Sequence, residues 1–486
     1  MFIRRTTSRQ STCFQLGEKR AGRFVVKKHI GCASRLEEIE ALRLTAQTML
    51  HTARFGNQST LFPVPDPLRA KRVTWKITGY HHVFAAVYDR IGFPPTMLRD
   101  LVVTRIVHPS SKVAAIRYLA REMGIDYEKN HVFRFLDTLS KTDLTRIAYA
   151  FVSARHPTGI TICFYDVTTL YFETTAEDAL RSKGFSKNHR TDVPQVLLGL
   201  FVDEDGYPFD FSFYEGKTFE GHTLPKAIAA IRKKYAFPSL TVVADAGMLS
   251  EGNLTYLEQE HLNYIVGARL KNLPAPLTQK ILSHQFSEES VFQVASHPRR
   301  LIVDYSATRA VLDAKNRRRA VDKLKERMNK GIPVVKKSKY LAVSGIQAIT
   351  GINQEKVRED ACFDGLKGYL TNADNPLSGE DVIAQYHELW RVEKAFRMSK
   401  HDLRERPVFH RRQRRIEAHL ILCFVSLLVL RETERELKTI NVSVEQAIER
   451  LGTVGEGTVR VGSIELPMDS ELDPKTQLIH KLFEGH

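Results

Sequence analysis

The sequence predicts a mixed α/β fold, because helical and strand-like hydrophobic patterns alternate along the chain. Apolar residues recur at helical spacing over 81–150. Short apolar runs typical of strands come next, at 160–164, 196–202, 209–214 and 240–244. The first three of these strands are expected to form one antiparallel meander. The helical period returns later in the chain, over 380–400 and 415–437.

Composition and charge narrow the class of protein. The chain has 486 residues, 43% hydrophobic and 26% charged, which is typical of a soluble globular protein and excludes a disordered one. A length of roughly 100–200 residues per domain predicts about two to four domains. Lys and Arg number 72 against 56 Asp and Glu, a net charge of +16. This excess favours polyanionic partners, because clustered basic residues bind phosphates.

Neither membrane attachment nor a structural zinc site is expected. No stretch reaches the roughly 18 apolar residues of a spanning helix, and the N-terminus has no apolar signal core. The five cysteines are scattered and form no C-x-x-C pair, at Cys13, Cys32, Cys163, Cys362 and Cys423. This cysteine pattern predicts a reducing cytoplasm and argues against a zinc finger.

Residues 1–75 are predicted to form a basic N-terminal region and a linker. Residues 1–28 hold eight basic residues against one acid, Glu18. This end of the chain either lies along DNA or is a solvated basic arm. Three prolines, which cannot continue a helix or a central strand, predict a linker with a boundary near 60–75; they are Pro63, Pro65 and Pro67.

Residues 76–150 are predicted to form a helical DNA-binding domain. Ser110 and Ser111 offer a helix start, and Gly124 separates this helix from a second one. Basic residues surround the pair, at Arg117, Arg121, Lys129 and Arg134. The two helices either read DNA as a helix-turn-helix or simply pack against the rest of the protein.

Two aspartates end predicted strands within the next segment, 151–265. Asp166 closes the alternating run that begins at residue 160, and Asp245 closes the apolar run 240–244. Each aspartate taken singly could be a turn or cap residue. An unpaired carboxylate facing the interior is costly, however, so Asp166 implies a metal or a basic partner.

Residues 266–365 are predicted to form a β-rich, basic insertion. Strand-like pieces at 291–294 and 301–305 precede a charged helix near 308–330. Residues 313–330 hold eight basic residues against three acids, and the basic residues include Arg317, Arg318 and Arg319. This helix face either contacts DNA or is solvated.

The third acidic residue lies on a helix predicted over 380–400, within the segment 366–437. At about 100° per residue, five side chains share one face of this helix: Tyr386, Trp390, Glu393, Arg397 and Lys400. A face that packs on a core would be mostly aliphatic, so we interpret this one as functional. Asp166, Asp245 and Glu393 together provide hard oxygen ligands, which Mg²⁺ or Mn²⁺ prefers. Two such ions would suit an in-line displacement at phosphorus.

These residues carry a family resemblance. The order Asp166, Asp245, Glu393, with Tyr386 and Lys400 each seven residues from Glu393, resembles the DDE transposases of bacterial insertion sequences. The similarity is to the branch with a Tyr-Arg-Glu-Lys signature. Four further segments are similar, at 165–170, 184–187, 244–247 and 393–397.

The resemblance implies an RNase H-like catalytic core, interrupted by the insertion. It implies excision and joining of an element's ends, using two Mg²⁺ or Mn²⁺ ions held by Asp166, Asp245 and Glu393. Tyr386 and Lys400 would contact DNA phosphates. The implied partners are terminal inverted repeats and target DNA, bound by a homodimer on paired ends. The implied location is the bacterial cytoplasm, at the nucleoid.

The sequence departs from the family pattern at two places. Leu389 stands where the signature has arginine, so phosphate binding there is expected from Arg391 or Arg397. Some members of this branch hold a flipped base with a tryptophan of the insertion during hairpin formation. Here Trp75 and Trp390 both lie outside 266–365, so a hairpin intermediate is not carried over. A C-terminal tail, 438–486, follows the core.

Other functions explain fewer of these sequence features. An RNase H-fold nuclease or resolvase would use the same three carboxylates, whereas a non-enzymatic DNA-binding regulator would leave them unexplained. A phosphate loop ending at Gly216 is excluded, because Phe211 stands where it needs glycine. A zinc protease is excluded because Arg391 replaces its second histidine.

Overall fold

The computed structural model describes all residues except 9–10, 21, 56–70, 175, 185–191, 238, 249, 289, 297, 331–338, 344–348, 462–463 and 485–486. The proline-rich linker and most of the similar segment 184–187 lie outside the described residues. The chain divides into two compact units. One comprises Met1–Lys76 with Gly455–Ser470, and the other comprises Ile77–Val454 with Glu471–His486.

Within the described ranges the strands are, in chain order, β1 (Phe2–Thr7), β2 (Thr12–Arg20), β3 (Arg23–Ala33), β4 (Lys71–Ile77), β5 (Ile162–Tyr171), β6 (Gln195–Asp203), β7 (Pro208–Glu215), β8 (Thr241–Ala244), β9 (Asn263–Ala268), β10 (Val291–Ser296), β11 (Arg299–Tyr305), β12 (Leu341–Val343), β13 (Ile349–Ile352), β14 (Leu366–Asn372), β15 (Gly455–Val461) and β16 (Ile464–Asp469).

The α-helices of the same ranges are α1 (Leu36–Phe55), α2 (Ala86–Ile91), α3 (Met97–Val107), α4 (Lys112–Tyr118), α5 (Lys129–Leu136), α6 (Lys141–Ser153), α7 (Thr223–Lys234), α8 (Glu251–Gln259), α9 (Ala275–Leu282), α10 (Ala307–Asn329), α11 (Gln354–Ala361), α12 (Gly379–His387), α13 (Trp390–His401), α14 (Gln413–Thr439), α15 (Val444–Leu451) and α16 (Pro474–Phe483). No helix among the described residues is both long and apolar enough to cross a membrane.

The first unit is built from antiparallel strands and one helix. β1, β2 and β3 form one sheet, and β4, β15 and β16 form another. Cys13 of β2 lies directly opposite Cys32 of β3, and the two form a disulfide. The cysteine pattern had predicted reduced thiols, and this expectation was wrong for the pair. The sequence gives no sign of it, because strand register alone brings together cysteines 19 residues apart.

Helices occupy the start of the second unit, where the sequence has its helical period. Ser111 caps α4 by accepting a hydrogen bond from the Ala114 N–H at 3.2 Å, and Gly124 ends the following turn with a positive φ of 66°. α3 and α6 pack against α14, and α5 buries Val132 and Leu136 in the common core. One face of this helical group is therefore used for packing.

The centre of the second unit is an eight-stranded sheet, ordered β10-β11-β14-β9-β8-β5-β6-β7. β5, β8 and β9 run parallel, and the outer neighbours pair antiparallel. β5, β6 and β7 form the expected meander. β5, β6 and β8 are almost continuously buried, because helices cover both faces of the sheet.

Three elements differ from the sequence expectations. β5 does not end at Asp166 but continues to Tyr171, because it stays paired with β6 over that length. The helix expected over 380–400 is broken between α12 and α13 by a turn at Glu388 and Leu389. Besides the charged helix expected near 308–330, the segment 266–365 contains α9 and α11. Its strands β10 and β11 extend the central sheet, and its longest element is α10.

Candidate active site

Strand register brings Asp166 and Asp245 side by side. Tyr165 of β5 pairs with Ala244 of β8 in a parallel ladder, and each aspartate is the next residue of its chain. Adjacent strands lie about 4.8 Å apart, so the two carboxylates are close enough to share a cation. Asp166 is half-buried and Asp245 is exposed. The site is therefore accessible at the point where β8 ends.

Backbone contacts fix the loop that carries Asp245. The Asp245 carboxylate accepts a hydrogen bond from the Ala246 N–H at 2.6 Å, and its carbonyl accepts one from the Met248 N–H at 2.9 Å. The Arg269 guanidinium donates to the Ala246 carbonyl at 3.1 Å. These bonds hold the carboxylate at the edge of the sheet although the residue itself is exposed.

Tyr386 of α12 supports the same carboxylate from the other side. Its hydroxyl donates to Asp245 Oδ1 at 3.5 Å. Burial and the nearby Asp245 charge raise the pKa of Tyr386, so the phenol keeps its proton. A Cβ on Gly267 of β9 would lie 2.4 Å from the Tyr386 hydroxyl, so only glycine leaves room for the tyrosine there.

The helix α13, which carries Glu393, lies against the strand that bears Asp166. α13 packs on β5 and β6. The Lys400 ammonium donates to the Thr168 hydroxyl, and Thr168 lies on the same face of β5 as Asp166 because the two are two residues apart. Glu393 is exposed on the Lys400 side of the helix, two turns earlier.

Lys367 of β14 lies beside Tyr386 and was not identified from the sequence. Its Nζ lies 4.6 Å from the ring centroid of Tyr386. Burial and the Arg309 charge lower the pKa of Lys367, and the charges of Asp304, Asp245 and Glu393 oppose this shift. The available signal was the alternation of the predicted strand 366–371, which places a lysine on a partly buried face.

Three polar side chains form a hydrogen-bonded cluster next to Tyr386: Tyr369, Asp304 and His387. The Tyr369 hydroxyl of β14 donates to Asp304 Oδ2 at 3.0 Å and lies 3.1 Å from His387 Nε2. Burial lowers the pKa of His387, so its ring is neutral and Nε2–H can donate to the tyrosine. These contacts join β11, β14 and α12, and they hold the strand that carries Lys367 against the helix that carries Tyr386.

The structure does not bring the other predicted basic residues to this point. Arg391 pairs with Glu388 at 2.6 Å and lies against the Trp390 ring. Arg397 lines a cavity of about 830 Å³ between α13, α14 and α15. In α10, Arg317 is held by both carboxylate oxygens of Asp364, whereas the neighbouring Arg318 and Arg319 are exposed.

The three carboxylates match a divalent metal in donor type, although among the described residues the group whose ligand atoms lie within 4.8 Å of one another is a different one. Asp166, Asp245 and Glu393 offer only oxygen donors, as Mg²⁺ and Mn²⁺ require. The second group contains His156, Asp203 and Asp205. There both His156 ring nitrogens already face carboxylates, Asp203 at 2.8 Å and Glu204 at 3.0 Å, so the ring is a charged ion-pair partner and not a metal ligand.

Comparison with known proteins identifies the family. Residues 157–429, more than half of the chain, match the family described as the transposase DDE domain. The chain belongs to this family, whose members use a divalent metal. No curated protein sequence matches the chain.

Two solved structures show a distant likeness. One is the piggyBac transposase synaptic complex with hairpin DNA, at 10% identity and a TM-score of 0.39, covering 77% of this chain and 76% of that one. The other is the Mos1 transposase paired-end complex with the left transposon end, at 10% identity and a TM-score of 0.16, covering 46% and 66%.

Proposed function

We propose that this chain is the DNA transposase of a bacterial insertion sequence of the Tyr-Arg-Glu-Lys branch, with an RNase H-like core. It binds the terminal inverted repeats and catalyses cleavage and strand transfer by a two-metal DDE mechanism. One observation carries the proposal: in a member of the transposase DDE domain family, Asp166 and Asp245 follow directly paired residues of two parallel strands. Glu393 lies on the helix that covers this face.

Asp166, Asp245 and Glu393 would hold two Mg²⁺ or Mn²⁺ ions. When bound, these ions would supply the positive charge that stabilises the attacking and leaving oxygens at phosphorus. The Tyr386 hydroxyl donates to the Asp245 carboxylate and so restricts its orientation. Lys367 adds a fixed positive charge beside Asp245 and Glu393, where a phosphate would come to lie.

Lys400 and Tyr386 would position the DNA backbone. Lys400 lies next to Thr168 on the Asp166 face of β5, so its ammonium can reach a phosphate beside the one being cut. The exposed Arg318 and Arg319 offer contacts farther from the carboxylates. Arg317, Arg391 and Arg397 are also proposed DNA contacts, and binding a phosphate would require Arg317 to leave Asp364 and Arg391 to leave Glu388. The protein would act as a homodimer on paired ends, with target DNA as its second substrate.

The test uses the full-length protein and a plasmid carrying the flanking inverted repeats, with Mg²⁺ or Mn²⁺. Asp166→Asn, Asp245→Asn and Glu393→Gln should each lower cleavage by about 10³-fold or more while leaving binding of the ends intact. Glu355→Gln, which removes an exposed acid of α11, is the matched control and should cut normally.

Other results of this assay would favour one of the alternative functions. Cleavage without joining would indicate an RNase H-fold nuclease or resolvase. Binding with no metal-dependent cleavage by the unmodified protein would indicate a non-enzymatic DNA-binding regulator. Normal cleavage by the Glu393→Gln protein would overturn the assignment of the three carboxylates.

A further inference from the structure

A basic cavity lies between the start of α4 and the loop that joins α13 to α14, away from the three carboxylates. Its volume is about 350 Å³. The described residues that line it include four cations and no acid; the cations are Arg105, Lys112, Arg404 and Arg406. This combination is unusual, because cations held close together need either solvent or a negative partner.

Two of the cations are buried. Lys112 is 4% exposed and Arg105 is 5% exposed. The Lys112 ammonium donates to His419 Nδ1 at 3.2 Å, and an Arg105 guanidinium nitrogen donates to the Leu403 carbonyl at 3.3 Å. Neither acceptor carries a negative charge. Burial and then the Arg105 charge lower the pKa of Lys112, which is the expected result when a cation lacks a counter-ion.

The histidine between them is neutral and oriented. Burial and the charges of Lys112 and Arg105 lower the pKa of His419. His419 Nε2 lies 2.8 Å from the Glu405 carbonyl, so Nε2 carries the proton and Nδ1 is free to accept from Lys112. The histidine therefore holds the lysine in place without neutralising it.

Glu405 follows Arg404 in the chain but is not among the residues that line the cavity. It is buried and its Oε2 accepts from the Ser399 hydroxyl at 2.6 Å. Burial raises the pKa of Glu405, and Lys400, Arg105 and Arg406 only partly oppose this shift. Glu405 can reduce the positive charge near the cavity, but the residues that line the cavity remain basic.

The mouth of the cavity combines an arginine and an aromatic ring. Arg406 Nη1 is buried and has no hydrogen-bond partner among the described residues. The Arg406 guanidinium lies 5.6 Å from the ring centroid of Tyr171. Phe409, three residues on, is 66% exposed. Exposed aromatic rings beside arginines are typical of surfaces that bind single-stranded nucleic acid, where bases stack on the ring.

The cavity lies along the strand that bears the first aspartate. The Val408 N–H donates to the Tyr171 carbonyl at 3.0 Å, and Val408 bridges to Phe172. Tyr171 ends β5 five residues after Asp166, about 16 Å along the strand. A DNA strand bound at the carboxylates would have to extend about 16 Å to reach the cavity.

We propose that this cavity binds a backbone phosphate of the same DNA strand, with Lys112, Arg404 and Arg406 as its cationic wall and Phe409 against the adjoining base. The proposal rests on the proposed function for the identity of the ligand. It assigns the loop after α13 and the start of α4 a role in holding DNA.

The first experiment measures how DNA affinity depends on salt. Full-length protein is titrated with a duplex that carries a single-stranded extension, at several salt concentrations. Affinity falls as salt rises, so the slope of log affinity against log salt is negative. In the double variant Arg404→Gln, Arg406→Gln this slope should become shallower by about 0.7 to 0.9, the value for one lost phosphate contact. Arg358→Gln, which removes an exposed arginine of α11, is the matched control and should keep the wild-type slope.

An unchanged slope in the double variant would overturn the proposal. Arg404 is exposed, so Arg404→Gln alone supplies the same comparison should the double variant fail to fold. Phe409→Ala should weaken binding of the extended duplex more than binding of a blunt duplex. Equal weakening of both would contradict the stacking contact.

The second experiment separates DNA binding from support of the fold. Lys112→Met removes the group that donates to buried His419 Nδ1, so the free protein should unfold at a somewhat lower temperature. Its DNA affinity should fall roughly tenfold, as for one lost charge-assisted contact. A lower unfolding temperature with unchanged DNA affinity would show that Lys112 only supports the fold.

Failure of this proposal can be distinguished from failure of the proposed function. Loss of cleavage in Asp166→Asn together with an unchanged slope in the arginine variant would overturn only the proposal that the cavity binds a phosphate. Cleavage by Asp166→Asn together with the shallower slope would overturn the proposed catalysis and keep the phosphate site.

Discussion

At the scale of single residues, Gly267 leaves the space in which Tyr386 reaches Asp245. Because a Cβ there would lie 2.4 Å from the tyrosine hydroxyl, Gly267→Ala should displace the ring and free the carboxylate. We expect cleavage to fall about tenfold, as for one lost hydrogen bond, with DNA binding retained. Single-turnover cleavage would measure this.

The control for this substitution is Gly252→Ala. Nothing lies within 4 Å of a Cβ added at Gly252, which is in α8, so this variant should cut normally. Normal cleavage by Gly267→Ala would mean that the Tyr386 contact does not orient Asp245.

Lys367 is the other residue whose role is visible only in the structure. Its ammonium lies over the Tyr386 ring and near Asp245 and Glu393. Lys367→Met should lower single-turnover cleavage by about 10- to 100-fold, because a fixed positive charge beside the phosphate is lost. Lys367→Arg should recover part of the rate. Cleavage by Lys367→Met at the wild-type rate would exclude a role in the reaction.

At the scale of elements, the turn between β6 and β7 is joined to the end of α6 by a pH-dependent ion pair. The hydrogen bond to buried Asp203 raises the pKa of His156, and the Asp203 and Glu204 charges add to the shift. A group whose folded pKa is raised contributes stability below its unfolded pKa of about 6.5 and loses it as pH rises through the folded value.

His156→Gln should therefore cost most stability below about pH 6.5 and progressively less above it. Thermal unfolding of the variant and the unmodified protein at several pH values would measure the difference. His131→Gln, which changes an exposed histidine of α5, is the control and should show little pH-dependent difference. A gap between His156→Gln and wild type that stays constant with pH would contradict the ion-pair assignment.

At the scale of the whole molecule, the charge balance dominates the expected behaviour. With a net charge of +16, DNA binding should weaken steeply as salt rises. A protein making 6–10 phosphate contacts loses about 10³- to 10⁵-fold in affinity between 50 and 200 mM salt. Fluorescence anisotropy with labelled duplex DNA would measure this, and an affinity independent of salt would contradict phosphate binding.

The sequence by itself identified the three candidate carboxylates, the charge and the order of helices and strands. These features are local: an apolar run that ends at Asp245, a helix face that carries Glu393, a count of basic side chains. They follow from periodicity and composition, which neighbouring residues specify. The ends of the strands and helices were less well predicted, since pairing with β6 extends β5 beyond Asp166.

Only the tertiary structure decided which residues meet. The register of β5 and β8 places Asp166 beside Asp245. The absence of a side chain at Gly267 leaves space for Tyr386, and Lys367 of β14 lies over the Tyr386 ring. The basic cavity joins Arg105 to Leu403, which are 298 residues apart. Contacts at such separations depend on how sheets and helices pack and not on local pattern, so no spacing in the sequence could specify them.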